Sequence, residues 1–133
     1  MANILIAYGT RFGSTKEISE HLKELFKKEG HSVEMVNTED INKENFPKVS
    51  EYDGLLIGSG IKIGSWKKSA LYFVSMLENR WKSIKGSKPI LGFFVSCGDA
   101  AQLGGEAQAA QDYINDIIGK YSLPIDYGIA FGP

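Results

Sequence analysis

Residues 3–15 read Asn3-Ile4-Leu5-Ile6-Ala7-Tyr8-Gly9-Thr10-Arg11-Phe12-Gly13-Ser14-Thr15. The first half is an apolar run of strand length. The second half is a polar turn rich in glycine and hydroxyl groups. Apolar residues then switch to helical spacing at Ile18, Leu22, Leu25 and Phe26, and Gly30 closes the helix. Strand, polar turn and helix in succession are the opening unit of an α/β sheet protein.

The alternation continues outward from that unit. Residues 31–36 read as a second strand. Residues 38–50 carry Ile41, Phe46 and Val49 in no clean stripe, and Pro47 interrupts any helix, so a short helix or irregular crossover is expected. Residues 53–58 read as a third strand with Leu55, Leu56 and Ile57 at its centre, followed by a glycine-rich loop. Ala70, Phe73, Val74 and Leu77 mark a second helix. The turn-like Lys85-Gly86-Ser87-Lys88-Pro89 leads into a fourth strand over residues 90–95. Ala107, Ala110, Ile114, Ile117 and Ile118 mark a third helix ended by Gly119, and residues 125–131 form a last strand. Near-continuous apolar strands are buried on both faces, as in a parallel sheet. Two doubly wound strand orders fit, and both place ligands beyond the carboxyl ends of the strands. The loops after strands one, three and four are therefore where chemistry is expected.

The whole chain, 133 residues of which 43% are hydrophobic, is read as one domain with one core. A net charge of −1 gives no electrostatic basis for nucleic-acid binding. Cys97 is the only cysteine, which excludes an intrachain disulfide and a cysteine zinc cluster and fits a cytoplasmic location. The start lacks the basic and long apolar regions of a secretory signal. No stretch approaches the roughly 20 apolar residues that cross a bilayer.

The loop after strand one places Thr10, Ser14 and Thr15 at a helix N-terminus, where backbone amides and the helix dipole favour a phosphate. Gly13 lets the backbone approach closely. No Gly-Lys-Ser/Thr follows, so this is not a Walker loop. Read in isolation, Ser14 or Thr15 is a helix cap, with Glu17 completing a capping box after Ser14. Its position after the first strand favours the phosphate reading.

Tyr8-x-Thr10-x-x-Gly13-x-Thr15 before a helix resembles the phosphate-binding signature of flavodoxins. Ala7 and Ser19 depart from the residues usual there. Thr10-Arg11-x-Gly13-x-Thr15-x-Glu17-Ile18 and Ile57-Gly58-x-x-Ile61-Lys62-x-Gly64 are similar, more narrowly, to the flavodoxin-like menaquinone-dependent protoporphyrinogen oxidases. The resemblance implies a five-stranded parallel sheet of order 2-1-3-4-5 between helices, with FMN as cofactor. It implies that Thr10, Arg11, Phe12, Gly13, Ser14 and Thr15 hold the phosphate. Ser59, Gly60, Ile61, Lys62, Ile63, Gly64 and Trp66 would line the flavin after strand three. Ser96, Cys97, Gly98 and Asp99 would do so after strand four. Trp66 has an alternative reading as a half-buried residue at the core edge, Lys62 as a solvated lysine, and Cys97 as a small buried hydrophobe. The loop after strand four has no aromatic residue, which leaves one flavin face open. A response-regulator receiver shares the architecture but needs an acidic pair where Gly9-Thr10 stands and an aspartate where Ser59-Gly60 stands.

Three functions follow. The first is an FMN-bound carrier serving a redox partner protein or a small-molecule donor or acceptor. The second is a small flavoenzyme acting on a porphyrinogen or quinone. The third is an interaction domain without flavin. The resemblance also implies a last helix, for which two residues after Phe131 leave no room. One sheet face is then expected to be uncovered, and a homodimer through that face is expected.

Overall fold

The computed structural model describes residues 2–10, 14–62, 65–84, 86, 88–96, 115, 121, 123 and 126–131. The strands are β1 (Asn3–Gly9), β2 (Ser32–Asn37), β3 (Gly54–Lys62), β4 (Ser65–Trp66), β5 (Ile90–Ser96) and β6 (Tyr127–Phe131), and the helices are α1 (Ser14–Lys28) and α2 (Lys68–Trp81). The sheet order is β2-β1-β3-β5-β6 with every one of those pairs parallel, and β4 folds back antiparallel on the end of β3. Leaving the hairpin strand aside, this is the 2-1-3-4-5 order.

Strand alternation divides the core between two faces. Leu5, Ala7, Leu55, Ile57, Leu91, Phe93 and Val95 meet Ala70, Phe73, Val74, Leu77 and Trp81 of α2. On the other face Ile4, Ile6 and Phe94 meet Ile18, Leu22 and Phe26 of α1. At 100° per residue, Thr15, Ser19, Leu22 and Phe26 fall within an arc of about 60° on α1, which is the face turned inward. Leu25 lies outside that arc and is exposed, contrary to its expected place in the stripe. The buried Ser19 hydroxyl donates to the Thr15 carbonyl at 2.7 Å, so its polarity is satisfied inside the helix. Gly30 adopts φ +88, its amide donates to Lys27 and that of His31 to Phe26, a Schellman ending for α1.

Two expectations are corrected. The glycine-rich stretch from Gly58 is not a loop: β3 continues to Lys62, and Trp66 returns in β4. The reason is steric. A β-carbon on Gly58 would lie 2.0 Å from the ring of Phe94, its register partner on β5. The glycine makes room for a ring within the sheet rather than breaking it. The second strand begins at Ser32 instead of His31, whose Nδ1 accepts the Ala2 amide at 3.0 Å. The irregular crossover is two short 3-10 turns, Thr38–Asp40 and Val49–Glu51. The expected third helix lies outside the described residues except Asn115, which is helical.

At the amino ends of the strands, on the α1 face, a half-open apolar cavity of about 410 Å³ lies among Ile4, Leu22, Phe26, Leu56, Ile90 and Tyr127. Ile90 is 57% and Tyr127 64% exposed. The cavity lies at the end of the strands opposite the candidate site.

Candidate cofactor site

The register of the central strands brings their carboxyl ends together. Gly9 pairs with Ser59 and Gly60 with Ser96, so the exits of β1, β3 and β5 lie side by side. Thr10 follows β1 directly, and α1 begins at Ser14. Thr10, Ser14, Thr15, Ser59, Gly60, Ile61, Lys62, Trp66 and Ser96 therefore stand on elements meeting at one edge. Arg11, Phe12, Gly13, Ile63, Gly64, Cys97, Gly98 and Asp99 lie outside the described residues.

Thr15 is the most informative of these side chains. Ser14 and Thr15 are the first two residues within α1, so Thr15 is not the residue preceding the helix that caps it. It is 1% exposed, and its Oγ1 is buried without a hydrogen-bond partner. Leaving a buried hydroxyl unpaired costs about 1–3 kcal/mol. The helix N-terminus around it offers amides that have no carbonyl within the helix, and the positive end of the dipole. An anion supplying an oxygen acceptor fits both features.

The neighbouring groups are structural. Ser59 is fully buried; its hydroxyl donates to the Gly60 carbonyl at 2.9 Å and accepts the Lys67 amide at 2.9 Å. Trp66 is 4% exposed and edge-on to Phe93, with ring centroids 5.9 Å apart. It lies within the core cluster, more deeply buried than the half-buried edge position of its alternative reading. Ile61 is partly buried against the same cluster.

Sequence reasoning missed a second group of residues beside Gly9. The Thr38 and Ser69 hydroxyls share a hydrogen bond at 2.7 Å, and Lys67 Nζ meets Glu39 Oε1 at 2.6 Å. A β-carbon on Gly9 would lie 3.0 Å from Thr38 Oγ1 and 3.1 Å from the Ala70 Cβ. The end of β1 is thus squeezed between the turn after β2 and the start of α2. No sequence signal marked Thr38, because it opens the stretch without periodicity. Among the described residues no group of His, Cys, Asp and Glu is placed to hold a metal, and no helix is long and apolar enough to cross a membrane.

Comparison with known proteins agrees with this architecture. The family model for the flavodoxin domain matches residues 5–118. A flavodoxin of Aquifex aeolicus is 34% identical over 89 residues, which are 65% of this chain and 46% of that protein. The chain thus spans less than half the length of that relative. Oxidised flavodoxin 1 of Bacillus cereus superposes with a TM-score of 0.65 at 17% identity, over 98% of this chain and 84% of that one. The rubredoxin oxygen:oxidoreductase of Desulfovibrio gigas gives a TM-score of 0.69 at 15% identity, over 98% of this chain and 30% of that one. With a parallel sheet in the doubly wound order and a domain match over most of its length, this chain belongs to the flavodoxin-domain family.

Proposed function

We propose that the protein carries electrons through a bound FMN. The observation that supports this most is the buried, unpartnered Thr15 hydroxyl at the N-terminus of α1. Thr10, Ser14 and Thr15, with the first amides of α1, would hold the phosphate. The ends of β3 and β5 would border the isoalloxazine ring, which when bound supplies the redox chemistry. The protein's own part is to bind, orient and shield. Stable packing around β1, β3 and β5 fixes the edge from which the ligand groups project.

Flavin absorbance of the purified protein, or uptake of added FMN, tests the reading. Thr15→Val sharpens it, because the substitution keeps the shape and removes the hydroxyl. FMN affinity is expected to fall about 10- to 100-fold, riboflavin affinity to stay constant, and the flavin-free protein to be no less stable. Failure of the intact chain to bind FMN overturns the proposal, as does equal FMN affinity in the variant.

A small flavoenzyme is a second reading. The stretch Ile57-Gly58-x-x-Ile61-Lys62-x-Gly64, similar to that of the protoporphyrinogen oxidases, favours it. Flavin reduction by a porphyrinogen or a quinol separates it from a pure carrier. We also propose that two copies associate through the apolar face bearing Ile90 and Tyr127. A cytoplasmic location accords with the single cysteine.

A further inference from the structure

We infer that Ser59 is a positioning residue, which clamps the β3–β4 hairpin to the start of α2 through the Lys67 amide and thereby sets the flavin-facing wall. The inference rests on the FMN reading above and departs from the expectation that Ser59 touches the cofactor.

The hydroxyl is already committed. Its one proton goes to the Gly60 carbonyl, and it accepts from Lys67, both at 2.9 Å, with the residue fully buried. A serine oxygen has a single proton to give, so none is left for a cofactor. The Lys67 amide stands just before α2, at the cap position, where no helical carbonyl can accept it. Ser59 therefore satisfies a group that would otherwise be an orphan donor.

The location of this bond gives it leverage. Pairing of β3 with β1 ends at Ser59, and pairing with β5 ends at Gly60. Ile61 and Lys62 overhang both neighbours and pair only with Trp66 and Ser65 of β4. The overhanging hairpin is held at its base by the Ser59–Lys67 bond and by Trp66, which is packed edge-on to Phe93. Residues 61 and 62 leave the sheet at the carboxyl edge, where Thr15 would meet the phosphate. Whatever fixes the hairpin's angle there fixes the ring-side half of the site, while Thr15 serves the phosphate half.

Two variants cut the bond from opposite sides. Ser59→Ala removes the acceptor. Lys67→Pro removes the donor at a residue whose φ of −62 suits proline; it is measured against Lys67→Ala, which keeps the amide and loses the same ion pair to Glu39. Each cut is expected to weaken FMN and riboflavin alike, by roughly fivefold to tenfold, and to change the visible circular dichroism of the bound flavin. The double variant is expected to lose no more than one cut, because both remove the same bond. In the flavin-free protein, Ser59→Ala should speed amide exchange at Ile61, Lys62, Ser65 and Trp66 about tenfold and leave β1 unchanged. Unchanged exchange in the hairpin overturns the clamp. So does wild-type-like affinity and dichroism in both variants, or effects of the two cuts that multiply. Absence of flavin binding by the unaltered protein is a different failure: it removes the FMN reading, and the exchange result then decides the clamp alone.

Discussion

Gly58 shows how much a single residue carries in this sheet. Its missing β-carbon is filled by the Phe94 ring, which is 2% exposed and also borders the apolar cavity on the α1 face. Gly58→Ala is expected to destabilise the protein by about 1–3 kcal/mol, measured by urea unfolding, the usual cost of overpacking, because the β-carbon displaces the ring from its place over the strand. Phe94→Leu in the same background should recover part of the loss, because the smaller side chain frees the space. Tyr52 makes a different prediction at the same scale. Burial, and then the hydrogen bond its hydroxyl donates to Glu34 Oε2 at 2.6 Å, push its ionisation up to about 12 from the ordinary 10. Ionisation is therefore harder in the folded chain than in the unfolded one. The stabilisation is fully present below pH 10 and is lost as the pH rises through 12. In Tyr52→Phe, the fall in stability across that window should shrink, as followed by alkaline unfolding. If the two proteins lose stability in parallel over that range, the Tyr52–Glu34 bond is not the cause.

At the scale of elements, what was legible in the sequence followed periodicity. The Ile4–Tyr8 run, the Ile18, Leu22 and Phe26 stripe and the Ala70 to Leu77 stripe each have one physical meaning, and each formed the element expected. Glycines were harder, because one residue type answers to several causes. Gly30 ends a helix through a positive φ, whereas Gly58 lies in an unbroken strand and only yields volume. The sequence does not distinguish these, so β3 was expected to stop four residues early. The same error placed Ser59 and Trp66 in a loop. Once β3 is extended and β4 pairs with it, they are the root of a hairpin. The proposed phosphate half of the site could be read from sequence because it needs only a helix start and local hydroxyls. Its ring-side half depends on how β3 overhangs its neighbours, a relation between strands distant in sequence.

For the whole molecule, the exposed apolar patch makes the oligomeric state testable. Parallel sheets are ordinarily buried on both sides, yet Ile90 and Tyr127 stand exposed beside an apolar cavity. Sedimentation over a range of concentrations is expected to show self-association, and Ile90→Lys with Tyr127→Lys to abolish it without altering FMN binding, since both residues lie at the opposite end of the strands. A strict monomer at high concentration would count against the dimer.

The Phe94 ring over Gly58 has a consequence for how the chain finds its structure. Along β3, Leu55 and Ile57 face α2, while Gly54, Leu56, Gly58 and Gly60 fall on the alternate side. A slip of one residue against β5 would turn every side chain to the opposite face. It would bring Ile57 or Ser59 beneath the ring and empty the opposite layer of Leu55 and Ile57. The ring and its vacancy act as a peg and a socket between the two central strands. They penalise misaligned pairings during assembly, so the same contact that fills the core also helps select one fold from its near neighbours.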